Sequence, residues 1–259
     1  MPEAAARPKS QNAMRMEDPS SRDARACRFA EARRAYHGMQ ASIALVCPAP
    51  PGSRQGNRVT ALRWARILRA LGHRVRILGA WRGEDVDLLV ALHARRSAAS
   101  VRAFRARHPE RRVVVALTGT DLYHDLATSR AARRSLELAD RLILLQEAGR
   151  RALPAAQRRK ARVIHQSVVT PRAPAGARSR RSFDVCVLAH LRAVKDPLRE
   201  AVAVRDLPTG SRIRVVHLGR ALDAGLALRA SREMERNPRY RWLGERSRRS
   251  ALRRLARSH

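Results

Sequence analysis

The sequence is poor in cysteine and contains no long apolar run. Its three cysteines, Cys27, Cys47 and Cys186, show no C-x-x-C spacing, so we expect structural thiols rather than a disulfide framework or a zinc site. No segment approaches the roughly 18–20 uncharged apolar residues of a membrane span. The first residues also lack the apolar core of a secretory signal. We therefore expect a soluble, cytoplasmic protein without a membrane span.

Common catalytic and cofactor motifs are absent as well. The sequence contains no G-x-x-x-x-G-K-[ST], no H-E-x-x-H and no G-x-S-x-G, and no G-x-G-x-x-G follows the first apolar run. Its nine histidines show no metal-ligand spacing. We therefore predict no resident metal or cofactor, and we expect any ligand site at strand ends, where doubly wound folds bind their ligands.

Aromatic residues make up only 3% of the chain, whereas the net charge is +33. A charge this positive favours nucleic-acid binding. However, all but three of the cations are arginines, which indicates codon bias, and the segment 1–38 contributes little because its eight basic residues face five acidic ones. No recognition helix, RNA-binding aromatic pair or zinc finger accompanies the arginines. We expect solvated helix faces and no specific nucleic-acid partner, with a basic nucleic-acid-binding protein as the alternative of another class.

From residue 42 onward, short runs rich in Val, Ile and Leu alternate with segments of helical spacing. This alternation predicts a parallel, doubly wound α/β sheet. In the clearest helix, 60–71, the apolar residues form one stripe, and Gly72 is expected to end the helix. The first six strands are predicted at 42–47, 75–78, 86–92, 112–118, 141–146 and 162–165, and the other helices at 97–107 and 129–139.

A segment with two prolines and a glycine, 171–182 (PRAPAGARSRRS), interrupts the alternation and is interpreted as a linker. It separates an N-terminal domain, 39–170, from a C-terminal domain, 183–259. Two Rossmann-like units joined in this way are expected to bind a ligand between them, at the carboxyl ends of their strands. Residues 1–38 lack sustained periodicity and are interpreted as a disordered or misassigned N-terminal extension.

The second unit has three predicted strands, against six in the first. The strands are expected near 184–189, 212–218 and 239–243, with helices near 197–205, 224–235 and 246–257. We interpret the chain as ending before the second domain is complete.

Two loops at predicted strand ends contain glycine or paired arginines. In PGSRQGNRVT (51–60), Gly56 would let the backbone approach a ligand, Asn57 offers an amide, and the following helix N-terminus favours an anion. In HARRS, directly after the third strand, Arg95 and Arg96 would hold an oxyanion through charge-assisted hydrogen bonds. The alternatives are an ordinary strand-to-helix turn and surface arginines.

A third loop, TGTDLY (118–123), closes the fourth strand. Thr118 and Thr120 supply hydroxyls, Gly119 gives backbone freedom, and Asp121 supplies a carboxylate. These groups stand where a reacting sugar or a nucleophile would lie. The alternative is a polar turn in which Asp121 caps a helix.

The fourth candidate loop lies in FDVCVLAHLRAVKDP (183–197), where an apolar strand runs into a basic turn. Arg192 and Lys195 stand three residues apart at the mouth of the predicted parallel sheet. Such a pair suits a diphosphate and would stabilise the charge on a departing nucleoside diphosphate. The alternative is a charged surface loop.

This two-unit layout, with a basic R-x-x-K turn opening the second unit, resembles the retaining GT-B glycosyltransferases of family four. Within that group it looks like the selenosugar synthases of selenoneine biosynthesis. The resemblance covers 41–259 and implies a GT-B-like α/β fold of two Rossmann-like doubly wound domains. The segments that carry it are GNRVTALRWARILRALGH (56–73), ALHARRS (91–97), TGTDLY, RSLELADRL (134–142), FDVCVLAHLRAVKDP and NPRYRWLGE (237–245).

The resemblance implies a hexosyltransferase that moves N-acetylglucosamine from UDP-N-acetylglucosamine to selenophosphate, a small anionic acceptor, without a cofactor. The residues implied are Arg192 and Lys195 for the UDP diphosphate, Gly56, Asn57, Gly119, Thr118, Arg95 and Arg96 for the cleft and the acceptor, and Asp121 and Thr120 for catalysis.

The family's acidic, glycine-containing donor motif would lie beyond residue 259. We therefore expect the chain to be C-terminally truncated and inactive by itself. Broader alternatives are another nucleotide-sugar glycosyltransferase and a folded remnant without turnover.

Overall fold

The computed structural model describes residues 40–53, 55–167 and 178–259, and the structural statements that follow concern these residues. They divide into two compact units, of which unit 1 ends at Gln166 and unit 2 begins at Ser167. The predicted N-terminal extension, 1–38, lies outside the described residues, as does most of the predicted linker.

Unit 1 is built on a six-stranded sheet in which every pair of neighbouring strands is parallel. The strand order is β2-β1-β3-β4-β5-β6, so the chain reverses its direction across the sheet between β1 and β3. Ligands of such sheets bind at the carboxyl ends of the strands beside this switch point. The strands are β1 (Ser42–Val46), β2 (Arg74–Leu78), β3 (Leu88–Leu92), β4 (Arg112–Ala116), β5 (Arg141–Leu144) and β6 (Ala161–Val163).

Helices cover both faces of this sheet and leave a hydrophobic core on each side. Ala61 and Ala65 of the first helix belong to one core, and Phe104 and Leu136 of the helices on the other face belong to the second. The predicted doubly wound α/β fold is thereby confirmed. The helices are α1 (Gly56–Ala70), α2 (Ala98–Arg107), a π-helix (Asp121–Asp125), α3 (Leu126–Thr128), α4 (Arg130–Leu138), α5 (Gly149–Ala152) and α6 (Ala155–Arg158).

The first helix differs from its prediction at one end and matches it at the other. It begins at Gly56, one turn before the predicted residue 60. Its carboxyl end is closed by Gly72, whose φ of 98° lets the amide of Gly72 reach the carbonyl of Arg69 and the amide of His73 reach that of Leu68. This paired pattern ends the helix as the sequence predicts.

Unit 2 contains a three-stranded parallel sheet in the order β7-β8-β9. Its helices pack Leu198, Ala201, Leu226 and Ala230 against Val215 of the central strand. The predicted helix 197–205 is shorter in the structure, where a 3-10 turn precedes it. The elements are β7 (Phe183–Leu188), the 3-10 turn (Ala193–Lys195), α7 (Arg199–Ala203), β8 (Ile213–Leu218), α8 (Ala224–Arg236), β9 (Tyr240–Trp242) and α9 (Arg248–Ala256).

Two of the cysteines lie within the described residues as free thiols. Cys47 is buried and Cys186 is half-buried, and burial raises the pKa of both thiols. Among the described residues no helix combines the length and the apolar character that crossing a bilayer requires.

Candidate functional site

The loop after β1 places Gly56 and Asn57 differently from the prediction. They are the first two residues of α1 rather than loop residues. The left-handed backbone that only glycine adopts freely occurs instead at Gly52, with a φ of 77°. Within the described residues no side chain caps α1, and its first turn contains no acidic residue. The open amides at this helix start are therefore the anion-attracting feature of the loop.

Asp121 joins the loops that follow β3 and β4. Its Oδ2 accepts a hydrogen bond of 2.9 Å from the amide of Ala94, and its Oδ1 accepts bonds of 2.9 Å from the amides of Thr118 and Gly119. The residue is 0% exposed. A buried carboxylate satisfied by backbone donors fixes loop geometry. This position favours a positioning role for Asp121 over the catalytic one predicted from the sequence, and it also differs from the alternative of a helix cap.

The other residues of this loop lie at the surface. Gly119 has a φ of 125°, which a side chain would strain, while Thr118 is half-buried and Thr120 is exposed. Neither threonine hydroxyl hydrogen-bonds to another group in the part of the chain that the structure describes. Both hydroxyls are therefore available to a ligand.

Arg95 and Arg96 are exposed directly after β3. Arg95 Nη1 lies 3.3 Å from Asp125 Oδ1, whereas the guanidinium of Arg96 has no acidic partner among the described residues. His93, the first residue after the strand, is buried with a φ of 74°, a conformation that few residues other than glycine adopt. Burial lowers the pKa of His93 despite the nearby carboxylates of Asp121 and Asp125.

Sequence reasoning missed four residues that the structure brings to this edge. His93 and Asp125 are buried beside Arg95, and the exposed Tyr123 accepts a 2.5 Å hydrogen bond from Gln146 in the loop after β5. The spacing of Asp125 four residues after Asp121 puts two carboxylates on one helical face, which was the available signal. Nothing in the sequence marks His93 or Gln146.

In unit 2 the predicted diphosphate-binding residues stand in the loop after β7. Arg192 and Lys195 are both exposed, and neither side chain has a hydrogen-bonding or acidic partner among the described residues. The loop ends at Asp196, whose φ of 43° is left-handed. Asp196 forms its ion pair with Arg199 rather than with either of these cations.

The loops after β7 and β8 are hydrogen-bonded to each other. The amide of Leu191 donates to the carbonyl of Arg220 at 3.0 Å, the amide of Leu222 donates back to Leu191 at 3.1 Å, and Arg220 N donates to His190 Nδ1 at 3.0 Å. The basic turn that begins at Arg192 therefore projects from a hydrogen-bonded ladder.

The buried His217 and Gly219 fix the backbone of these two hydrogen-bonded loops. His217 Nε2 donates to the carbonyl of Ala189 at 2.8 Å, while its Nδ1 accepts from the Tyr240 hydroxyl at 2.9 Å. Burial lowers the pKa of His217, which favours this neutral form of the imidazole. A side chain at Gly219 would place its Cβ 1.8 Å from the carbonyl oxygen of Ala189. The backbone beneath Arg192 and Lys195 is therefore tightly defined.

A concavity of about 600 Å³ lies at the opposite, amino edge of the unit 1 sheet. Several of its charged groups already have partners: Asp140 pairs with Arg105 at 2.5 Å, and Lys160 Nζ donates to carbonyls at the end of α4. Doubly wound sheets bind ligands at the other edge. We therefore regard this concavity as structural.

No family model matches the chain, and a comparison with curated proteins finds no match. Solved structures are similar. Anabaena HepE in complex with UDP-glucose aligns with a TM-score of 0.59 at 14% identity, over 84% of this chain and 72% of HepE. The apo lipopolysaccharide outer core galactosyltransferase WaaB aligns with a TM-score of 0.50 at 12% identity, over 84% and 72%.

An alpha-glucosyltransferase in complex with UDP-glucose and DNA containing an abasic site aligns with a TM-score of 0.50 at 13% identity, over 85% of this chain and 71% of the enzyme. Identities this low establish the fold alone. The chain has an α/β fold of the GT-B type, with Rossmann-like parallel sheets.

Proposed function

We propose that the chain is a nucleotide-sugar-dependent glycosyltransferase. The observation that carries the proposal is the basic turn of unit 2, where Arg192 and Lys195 are exposed at the carboxyl edge of a parallel sheet and have no partner among the described residues. The fold supports it, since HepE and the alpha-glucosyltransferase were solved with UDP-glucose bound. Two unpaired cations on a fixed backbone suit the diphosphate of such a donor.

The chemistry assigned to this turn is stabilisation of the leaving group. As the bond between the sugar and the diphosphate breaks, negative charge grows on the departing oxygen. Cations already in place stabilise that charge without reorganisation, and donors of this kind contribute about 3–4 kcal/mol each in enclosed sites.

The finer proposal is a selenosugar synthase that transfers N-acetylglucosamine from UDP-N-acetylglucosamine to selenophosphate. Selenium would attack the anomeric carbon and UDP would leave with the bonding electrons. The support is the loop chemistry of unit 1, where Arg95 and Arg96 are exposed after β3 and Thr118 and Thr120 lie in the loop after β4. Asp121 joins these two loops through backbone hydrogen bonds. A small oxyanion matches paired arginines better than a neutral sugar acceptor does. Gly56, Asn57 and Gly119 would line the acceptor side.

Titration calorimetry of the full chain with UDP and UDP-N-acetylglucosamine tests the donor part of the proposal. Binding should weaken in Arg192→Ala/Lys195→Ala. The matched control is Arg229→Ala/Arg232→Ala, which removes two exposed arginines, also three residues apart, from α8. Equal losses in the two double variants would contradict the proposal, because they would indicate diffuse electrostatic attraction.

A UDP-release assay with selenophosphate, phosphate and simple sugars as acceptors tests the finer part. Release that depends on selenophosphate supports the selenosugar synthase. Release with a sugar acceptor alone would leave the broader glycosyltransferase and overturn the finer proposal.

The net charge of +33 favours a second candidate function, nucleic-acid binding. Affinity for a random duplex should then fall steeply and linearly on a logarithmic salt scale. Binding that persists at roughly physiological salt, about 0.15 M, and that is insensitive to Arg192→Ala/Lys195→Ala would support this candidate over the transferase.

A further inference from the structure

Three basic side chains surround the carboxylate of Asp125, the last residue of the π-helix. Its Oδ1 lies 3.3 Å from Arg95 Nη1 and 3.3 Å from His124 Nδ1, and its Oδ2 lies 3.9 Å from His93 Nε2. The Asp125 side chain is only 3% exposed. Its Oδ2 is buried and makes no hydrogen bond within the described residues. A buried carboxylate arranged in this way needs its cations for stability.

The three partners differ in what they present to solvent. The side chain of His93 is 6% exposed and closes the inner side of the carboxylate. The side chains of Arg95 and His124 are 51% and 76% exposed, so they stand at the surface. Arg95 uses one terminal nitrogen toward Asp125, and the rest of its guanidinium has no partner among the described residues. Asp125 therefore contacts a surface arginine and a surface histidine from beneath.

The two cations lie close enough to share one ligand. Each nitrogen is 3.3 Å from the same oxygen, so Arg95 Nη1 and His124 Nδ1 are at most twice that distance apart. Charge-assisted hydrogen bonds to oxyanions are roughly 2.7–2.9 Å long. Because Nη1 and Nδ1 already face Asp125, a tetrahedral oxyanion beside them would accept from the remaining guanidinium nitrogens of Arg95 and from Nε2 of a protonated His124.

The surrounding backbone is shaped to bring these groups together. The π-helix is a rare conformation that is often found at functional sites, and the left-handed φ of 74° at His93 is another sparsely used conformation. His93 Nδ1 accepts from the amide of Arg96 at 3.4 Å, which places the imidazole proton on Nε2, toward Asp125. The π-helix and the loop after β3 thus meet at one carboxylate.

We propose that Asp125 is a positioning residue that holds Arg95 and His124 as a two-point binding site for a phosphate-type oxyanion. This site deepens the proposed function and rests on it, because the oxyanion would be the anionic group of the acceptor. His124 becomes a binding residue and His93 supports the carboxylate from inside. Asp125 itself does not touch the ligand.

The test uses the full chain and inorganic phosphate, with no donor and no turnover. The ring C–H resonances of His124, assigned with His124→Asn, are followed by NMR at a fixed pH. Phosphate is titrated against chloride at constant ionic strength. We expect a saturable shift at His124 and none at His73, which precedes β2 at the opposite edge of the sheet.

Three substitutions distinguish a positioning role of Asp125 from a nonspecific effect of positive charge on phosphate binding. Arg95→Ala and Asp125→Asn should each weaken phosphate binding about five- to tenfold, while Arg102→Ala, which removes an exposed arginine from α2, should leave it unchanged. Circular dichroism checks the fold of Asp125→Asn, and Arg95→Ala, at an exposed position, keeps the test valid if that variant unfolds. Unchanged affinity in folded Asp125→Asn would overturn the positioning role. Equal shifts at His73 and His124 would overturn the site.

Activity measurements keep this inference distinct from the proposed function. In an active transferase, Asp125→Asn should raise KM for the acceptor with little change in KM for the UDP-sugar. A site-specific phosphate shift in a chain that does not bind UDP would retain the oxyanion site and reject the transferase. UDP binding without any phosphate-dependent shift at His124 would retain the transferase and reject the oxyanion site.

Discussion

The loops at the carboxyl edges of the two sheets differ in whether their charged side chains are paired. In unit 1, buried carboxylates lie under the loops: Asp121 fixes two loop backbones and Asp125 pairs with Arg95. In unit 2, Arg192 and Lys195 have no carboxylate partner among the described residues, and neutral groups hold their loop. In unit 1, part of the charge therefore serves to orient the loops. In unit 2, the two cations have no neutralising partner among the described residues and are available to a ligand. Substitution of the buried carboxylates should accordingly reduce stability, whereas substitution of Arg192 and Lys195 should reduce binding alone.

The largest effect should follow from Asp121→Ala. Three backbone amides would lose a buried acceptor, and the free energy of unfolding should fall by about 3–5 kcal/mol. Urea unfolding followed by circular dichroism measures this loss. Asp196→Asn, which removes the charge of an exposed aspartate in the unit 2 loop and tolerates its left-handed backbone, is the control and should cost less than about 1 kcal/mol. Similar losses in the two variants would break the comparison.

A buried carboxylate away from the ligand edge should behave as Asp121 does. Glu233 of α8 is 1% exposed and is bound by Arg205, Asn237 and Arg236. These donors, Arg205 first, lower its pKa from 4.5 to about 2. Because the folded pKa lies below the unfolded one, the stabilisation is complete above the unfolded pKa and is lost as the pH falls toward 2.

Glu233→Gln should therefore reduce the free energy of unfolding by about 2–3 kcal/mol at neutral pH. The difference between the variant and the parent chain should shrink as the pH is lowered through the acid range. Urea midpoints measured at several pH values test this. A difference that does not change with pH would mean that packing, rather than ionisation, accounts for the loss.

The unit 2 loop should show the reverse behaviour. Arg192→Ala/Lys195→Ala should weaken UDP binding by about 1.5–3 kcal/mol, the range for hydrogen bonds to charged groups, and change the free energy of unfolding by less than about 0.5 kcal/mol. Calorimetry and urea unfolding on the same samples check both numbers. A stability loss as large as the binding loss would show that the two cations have structural partners after all.

The smallest effect is expected at the exposed rim of unit 1. The Tyr123 hydroxyl accepts its hydrogen bond from Gln146 at the surface, where water can replace the lost partner. Tyr123→Phe should therefore change the free energy of unfolding by no more than about 0.5 kcal/mol. Thermal melts suffice to measure it. A loss above 1 kcal/mol would place the rim among the structural parts of this edge.

The strands and long helices could be predicted because their pattern is local. Buried parallel strands such as β3 read as continuous apolar runs, and Gly72 marks a helix end by its own conformational freedom. The early start of α1 at Gly56 could not be predicted, because Gln55 is not a typical capping residue. The strand order was not predicted, because alternation and right-handed connections leave the position of the switch point open.

The details of the candidate site depend on contacts between distant residues, and these leave little trace in the sequence. Asp121 is buried because its carboxylate reaches Ala94, 27 residues earlier in the chain. A five-residue π-helix has no hydrophobic period to detect, and the left-handed His93 carries no turn motif. The sequence therefore marked candidate loops, which stay predictions, while the geometry that favours a positioning role for Asp121 required the fold.

The contact between Gly219 and Ala189 has a consequence for hydrogen exchange. Since no side chain fits between the two loops, the ladder through Leu191 and Leu222 cannot open without lifting β8 as well. The amides of Leu191 and Leu222 should therefore exchange as slowly as those of the strands beneath them, although both belong to loops. A surface that is already immobile loses little conformational entropy when a ligand arrives. The basic turn would thus bind its ligand without rearranging. Differences in affinity among ligands should then appear mostly in their dissociation rates.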